Sequence, residues 1–555
     1  MSYWGGAWRE GEGDNPMRYA GGMLGGTWLA SLTADLGHGI FDGAWLVRNF
    51  EALNPANTYW DKYYHLFANV DTELPRFLEF ERWWGSFYLM TREEIEWITR
   101  NLFVGNKLWS GTARSEGGQS FDLRDIKVPI VLFASLGDNI TPPQQAFNWV
   151  ADVYGSTDEI KARGQVIVGL LHQDVGHLGI FVSGRVAKKE HAQIVSVLKS
   201  IESLAPGLYG MQIHEQKGPD GRVVYEVQFV ERRLEEITER LNRFHRADEK
   251  PFEVVEKISE FNQQAYEFFA RPLIQAMSND FTAKLTRDLH PLRVQRQAIS
   301  DLNPWLAWLG PAAEMVKAGR QALAPEAPSR RSERFMSECV SGALDFYREM
   351  RDALSEAMFY QTYAGLLTLY GADRHGAAAP PVPEPRELPF VKEALDSMAE
   401  GGYPEAVARV FALLSRHGRP IHLTQLDLKR ELSGKYANLL PDMPRDQQRR
   451  IRGEQEIIVR YEPARALETL PQLLKTAADR ERLNALFAGV LTQENLEQFS
   501  ASREQFTMFE NIRKILMENK AAKGPTSAIK TSERRRTPQR AGRGKRHGIT
   551  HQRHV

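Results

Sequence analysis

At 555 residues the chain has room for roughly two to four domains. It is 42% hydrophobic and 26% charged, the composition of a globular protein. No run of about 18 apolar residues occurs, so no membrane-spanning helix is expected. The formal charge of zero hides an asymmetry. From Lys520 onward there are 11 Lys or Arg and a single acid, Glu533, which leaves 60 basic against 70 acidic residues in the rest. The first residues have neither a basic n-region nor an apolar h-region, so no signal peptide is expected. The single cysteine, Cys339, excludes a disulfide framework within the chain and fits a reducing, cytoplasmic setting.

In chain order, residues 1–45 are rich in glycine, with 11 in the first 43, and Trp4, Trp8, Trp28 and Trp45 are interspersed. Gly21-Gly22-Met23-Leu24-Gly25-Gly26 has the spacing of a Gly-x-nucleophile-x-Gly box. However, a thioether has no proton to lose, and no strand precedes it. A loop or small-residue helix packing closely on a neighbour is the expectation there. Residues 45–120 are rich in tryptophan, and Phe77–Trp84 and Arg92–Leu102 read as amphipathic helices. Those aromatics either form a cap over an acyl pocket or fill a core.

Ile130–Ala134 is a short β-branched run of the kind a buried parallel strand has, and it ends in Ser135-Leu136-Gly137-Asp138. Pro142-Pro143 opens a helix through Ala146, Val150 and Tyr154. Gln165–Leu171 is a second buried-strand candidate, followed at once by His172, Asp174, Gly176 and His177 and then by a helix to about Leu204. Strand, acid, helix, strand, histidine, helix is the order of the back half of an α/β-hydrolase, where the nucleophile precedes the acid and the acid precedes the histidine. Asp138 is the candidate acid and His177 the candidate base; His172 is expected to be a structural hydrogen-bonding group.

Met211 and Ile213 alternate with Gln212 and His214, and Val223, Tyr225, Val227 and Phe229 alternate with Val224, Glu226 and Gln228, around Pro219-Asp220-Gly221. This is a β-hairpin pattern that either extends the edge of the hydrolase sheet or forms a small connector. From Glu231 to about Gly371 the pattern is helical. Val254, Ile258, Phe261, Ala265 and Phe268 form one apolar stripe. Phe335, Cys339, Ala343, Phe346, Met350, Leu354 and Met358 form another, which makes Cys339 a core residue by expectation. A Pro/Ala linker follows, and then a second helical stretch. The last segment has the composition of a disordered basic tail, without the interleaved aromatics that base stacking needs. No cofactor motif and no metal-like spacing stands out, so none is expected.

Lys127-Val128-Pro129, the Gly137–Pro142 turn and Gly176-His177-Leu178-Gly179 resemble the acid and histidine segments of poly(3-hydroxyalkanoate) synthases. More closely, the chain resembles an uncharacterised bacterial poly(3-hydroxyalkanoate) synthetase-like family. That resemblance is carried also by Leu53–Thr58, Asn69–Glu73, Phe77–Trp84 and Asn101–Leu108, and it covers roughly Asn15 to Met517. It implies an α/β-hydrolase core that uses a Cys or Ser nucleophile on an ester or acyl thioester, with Asp138 and His177 completing the triad. In the family, a segment like Asn15–Tyr19 follows the nucleophile, so the chain is expected to start downstream of the nucleophile elbow and to be inactive alone.

The predicted architecture is the C-terminal half of an α/β-hydrolase parallel sheet with a helical cap, followed by a large all-α extension. Its parts are a partial hydrolase domain over 1–205 with the cap at 45–120, a hairpin connector at 206–232, a helical domain at 233–371 and a linker at 372–388. A second helical domain spans 389–518 and resembles the tellurite-resistance TerB-type domain, without any residue carried over. The tail is 519–555, and it could contact anionic surfaces nonspecifically. The rival expectation is a non-catalytic scaffold that binds a protein partner or a second copy of itself through the helical extension.

Overall fold

The computed structural model describes residues 17–521, apart from 24, 106, 109, 116, 139, 218–220, 242–249, 322, 325, 371–383, 416–418 and 500. Trp4, Trp8, Trp109, most of the Pro/Ala linker and nearly all of the basic tail lie outside the described residues.

The first helices are α1 (Met17–Met23) and α2 (Trp28–Leu36). A small antiparallel ribbon, β1 (Ile40–Asp42) with β2 (Leu89–Thr91), brackets helix α3 (Ala44–Ala52) and leads into α4 (Arg92–Ile98). Then come β3 (Ile130–Ser135), α5 (Pro143–Val153), α6 (Thr157–Ala162), β4 (Val166–His172), α7 (His177–Val182) and α8 (Ala192–Ile201). The hairpin is β5 (Gly207–Lys217) and β6 (Val223–Arg232), followed by α9 (Glu235–Leu241). Next come the 16-residue α10 (Lys250–Ala265), the short α11 (Arg271–Met277) and the 43-residue α12 (Pro328–Tyr370). Beyond them, α13 (Tyr403–Leu414) precedes a two-residue strand, β7 (Ile421–His422), and helices α14 (Leu423–Lys435) and α15 (Arg445–Tyr461).

One five-stranded sheet runs in the order β3-β4-β5-β6-β7. Its β3–β4 and β4–β5 pairs are parallel, and its β5–β6 and β6–β7 pairs are antiparallel. Helices cover both faces. On one face Leu132, Ala134, Ile167 and Leu208 pack with Phe147, Trp149 and Val150 of α5 and Ile237 of α9. On the other, Val166, Val168, Leu170, Tyr209 and Phe229 pack with Val197 and Ile201 of α8 and Leu426 of α14. A strand buried on both faces has no polar side to show, which is why β4 reads as an unbroken apolar run. This mixed sheet with flanking helices is compatible with an α/β fold.

Three expectations are corrected. Of the two readings of the hairpin at 206–232, the connector is corrected and the sheet extension holds: β5 lies parallel to β4, with Val166 opposite Gly207 and Gly169 opposite Gly210. The boundary at 205 also separates residues that pack together. Tyr19 and Val104 share a core with Phe252, Val254, Val255, Phe359 and Tyr363. Segment 17–104 and helices α10–α12 are therefore one packing unit, because each leaves an apolar face that the other covers. Finally, the two apolar stripes are only partly buried. Val254 is covered, but Phe261 and Phe268 are 71% and 76% exposed. On α12, Phe335, Phe346, Met350, Leu354 and Met358 are exposed, and Cys339 is exposed rather than core. Helical periodicity reports that one face is apolar, not that a partner is present.

Among the described residues no helix is long and apolar enough to cross a membrane.

Candidate active site

The pair predicted from strand ends meets in space. Because β3 and β4 are parallel neighbours with Ser135 opposite His172, their carboxyl-end loops start side by side. Leu136 N donates to His172 O at 2.9 Å. Gly137 permits the close approach that follows: a Cβ there would lie 2.6 Å from the Asp174 carbonyl. Asp138 Oδ2 then lies 2.9 Å from His177 Nδ1.

Asp138 is held by its own turn. Oδ1 accepts from Ile140 N at 2.9 Å and from Thr141 N at 2.8 Å, and Oδ2 accepts from Thr141 Oγ1 at 2.6 Å. Its side chain is fully buried, whereas the His177 side chain is 13% exposed. Burial pushes the Asp138 carboxyl up, but the bond and charge of His177 and the bonds from Thr141 outweigh it, so the group sits below its usual 3.8. The buried carboxylate fixes the tautomer with Nδ1–H toward Asp138, so proton exchange with a reacting group would fall to Nε2.

Thr141 was not picked out by sequence reasoning. Its Oγ1 also stands 2.9 Å from His177 Nδ1, so it braces both members of the pair. The local signal was the Asp-x-x-Thr spacing of a side-chain-capped turn. Two rings flank the imidazole: Phe181, one turn along α7, at 6.1 Å between centroids, and Phe50 of α3 at 6.3 Å. Phe50 is what the tryptophan-rich segment brings to His177. Much of that segment's aromatic surface, including Tyr59, Phe67, Trp83 and Tyr88, is exposed.

His172 organises the loop. Its Nδ1 accepts from Asp174 N and Val175 N, both at 3.2 Å. An acceptor Nδ1 has no proton for the Asp174 carboxylate 3.3 Å away, so the backbone bonds and not that ion pair define its role. Met23 ends α1 partly exposed, and Gly25 and Gly26 are in a turn at φ +79° and +91°. A Cβ on Gly26 would fall 2.1 Å from Ser259 Oγ, so this glycine-rich stretch is a packing surface. Among the described residues no three His, Cys, Asp or Glu side chains are grouped to hold a metal ion.

Asp138→Asn is expected to erase the strongly deshielded Nδ1–H proton resonance that a buried carboxylate–imidazole pair gives. It should also flatten the acid limb of stability. A carboxyl depressed in the folded state stabilises above its unfolded pKa, and that contribution is lost as pH falls through the folded value. The stability gap between wild type and Asp138→Asn should therefore shrink below about pH 3.8, as urea titrations over an acid series would show.

The chain thus has a mixed sheet compatible with an α/β fold, with a buried aspartate and a histidine at the carboxyl ends of adjacent parallel strands. Residues 1–396 match the family described as protein of unknown function (DUF3141), and the chain belongs to that family. An uncharacterised protein from the ackA 5′ region of Rhizobium meliloti is 43% identical over 368 residues, covering 65% of this chain and 50% of that protein. Poly(3-hydroxyalkanoate) polymerase subunits PhaC are more distant. That of Thiocystis violacea is 26% identical over 176 residues, covering 30% of this chain and 46% of the subunit. That of Allochromatium vinosum is 26% identical over 169 residues, covering 29% and 44%. The chain thus spans about half the length of the curated relatives it matches. No solved structure matches it.

Proposed function

We propose that Asp138 and His177 are the acid and base of a nucleophile–histidine–acid arrangement for acyl transfer or ester hydrolysis, acting on acyl thioesters or esters. The observation that carries this reading is the 2.9 Å contact between a buried carboxylate and an imidazole at the ends of adjacent parallel strands. The distant likeness to poly(3-hydroxyalkanoate) polymerase subunits supports the same chemistry. In this reading His177 Nε2 takes the proton of a Cys or Ser as that side chain attacks the acyl carbonyl, and returns it to the departing thiol or alcohol. Asp138 stabilises the imidazolium between those steps.

The nucleophile belongs on a strand–turn–helix elbow. Met23 cannot serve, and Cys339 is exposed on α12. The test uses the longer Rhizobium meliloti relative. Fluorophosphonate or iodoacetamide labelling that disappears when the histidine aligned with His177 becomes alanine supports the reading. Equal labelling of both forms overturns it.

A second reading, a scaffold that docks partners through its helices, is favoured by the exposed Phe261, Phe268, Phe335 and Phe346 on α10–α12. Absence of histidine-dependent labelling together with concentration-dependent self-association would favour it.

A further inference from the structure

Away from Asp138 and His177, the sheet and the C-terminal helices line a pocket of about 270 Å³ that opens to solvent on one side. Most of its wall is apolar, including Leu204, Phe411, Leu426 and Phe499. One end carries charge: Lys161, Glu231, Lys429, Arg452 and Glu456 all line it, and Arg419 stands at the exposed rim.

The pairing of these groups is uneven. Lys161 Nζ meets Glu231 Oε1 at 2.6 Å, a complete ion pair. Arg452 reaches Glu456 only at 3.7 Å and donates from Nη1 to the Ser203 carbonyl at 3.2 Å. Lys429 donates to the same carbonyl and makes no ion pair among the described residues. Tyr209 donates its hydroxyl to Ala205 O at 3.0 Å, and burial holds the phenol well above its usual range, so it adds no negative charge. Lining basic groups therefore outnumber lining carboxylates by one even without Arg419, and the odd group is Lys429. Two of them converge on one carbonyl beyond the end of α8. A helix C-terminus attracts cations, but satisfying it needs neither two of them nor a cavity. Burial, and next to it the charge of Arg452, holds the Lys429 ammonium well below its usual range, with the charge of Glu456 opposing them only in part.

The walls are preformed. A Cβ on Gly453 would sit 1.7 Å from Lys161 O, so α15 lies directly on the end of α6. Asp158 accepts from Arg460 Nη1 at 3.1 Å and from Tyr461 Oη at 2.6 Å, and Ser200 Oγ donates to Asp427 Oδ1 at 2.6 Å. The space equals about nine water molecules. That is below the roughly 300–1,000 Å³ of pockets for larger ligands.

We infer that this cavity binds a small amphipathic carboxylate, with its head between Lys429 and Arg452 and its apolar tail against Leu204, Phe411, Leu426 and Phe499. Such a ligand supplies a counter-charge that lets Lys429 take up a proton and uses the apolar wall, which a bare anion or a neutral alcohol does only in part.

Isothermal titration of the full chain with octanoate, octan-1-ol and acetate tests this. One octanoate should bind per chain, with octanol and acetate each at least tenfold weaker. Lys429→Met should weaken octanoate at least tenfold without lowering the melting temperature. Ser433→Leu, which fills the cavity from its lining, should weaken it as well and decides the matter if Lys429→Met fails to fold. Binding to wild type should also take up protons, seen as a dependence of the heat on buffer ionisation enthalpy. The inference is overturned if octanoate does not bind the folded chain, if octanol or acetate binds as tightly, or if neither variant changes the affinity.

Discussion

The 555-residue chain is expected to give no burst with p-nitrophenyl esters or 3-hydroxyacyl thioesters, and no labelling by a fluorophosphonate or iodoacetamide that depends on His177. The acid and base are assembled: Asp138 Oδ2 and His177 Nδ1 stand 2.9 Å apart, braced by Thr141. Covalent catalysis also needs a thiol or hydroxyl placed to give its proton to Nε2, and Thr141 is spent on Nδ1 and Asp138. The sequence contains no Gly-x-Cys-x-Gly or Gly-x-Ser-x-Gly elbow, and its single cysteine is exposed on α12. Without such an elbow cysteine or serine, the acyl-enzyme route proposed above is not expected from this sequence. In a relative that carries the nucleophile, losing the histidine should cost about 10⁴-fold or more in turnover, because members of such a unit fail together. In the present chain, His177→Ala should leave the background hydrolysis unchanged. Robust turnover that His177→Ala abolishes would mean a nucleophile acts from an unrecognised position, and the proposed division of roles would fall.

Asp35→Ala is expected to cost about 3 kcal/mol, the low end of the range for breaking a buried ion pair by removing one partner. The Asp35 side chain has no exposed surface and gathers four side chains from two distant stretches. Oδ2 accepts from Tyr266 Oη at 2.9 Å and from Arg271 Nε at 3.0 Å, and Oδ1 accepts from Gln275 Nε2 at 2.9 Å. Arg92 Nε lies 2.9 Å from Oδ1 as an ion pair without hydrogen-bond alignment. Truncation leaves two arginines facing each other in a partly closed site, with a phenol and an amide short of an acceptor. The low end applies because Arg271 keeps Glu96 and Glu267 as partners. Asp35→Asn, which keeps the shape and loses the charge, should cost less. Chemical denaturation gives the size of the effect. Hydrogen exchange gives its place, since protection should fall together in α2 and in residues 263–277. Loss confined to α2 would mean that the two stretches do not hold each other.

How legible these features were depends on the range of the interaction. β3 and β4 were readable because strands buried on both faces must be apolar throughout, and β5 and β6 because alternation survives in strands with one wetter face. The position of Asp138 and His177 followed from where those runs stop. The joining of the pieces was not readable. Extension of the sheet by the hairpin was one of two readings, but nothing in Gly207–Gly210 selects Val166–Gly169 as its neighbour, and a two-residue strand such as Ile421-His422 carries no period at all. Phe50 reaches His177 only through tertiary packing. Thr141 left a local trace in its spacing from Asp138. The apolar stripe of α12 was correctly seen as a stripe, but whether Phe335 or Cys339 is covered depends on which neighbours the fold supplies.

The last strand has a consequence in time. Phe229 of β6 pairs with Ile421 of β7, 192 positions later. At about 5–20 residues per second, a ribosome needs roughly 10–40 s to deliver that partner once β6 has been made. Throughout that interval the backbone edge of β6 is open to strands of other nascent chains. Glu226, on that strand, puts a charge at the exposed border, and it later receives the imidazole of His422 at 2.9 Å. The same carboxylate thus discourages wrong partners during synthesis and engages the right one when it arrives.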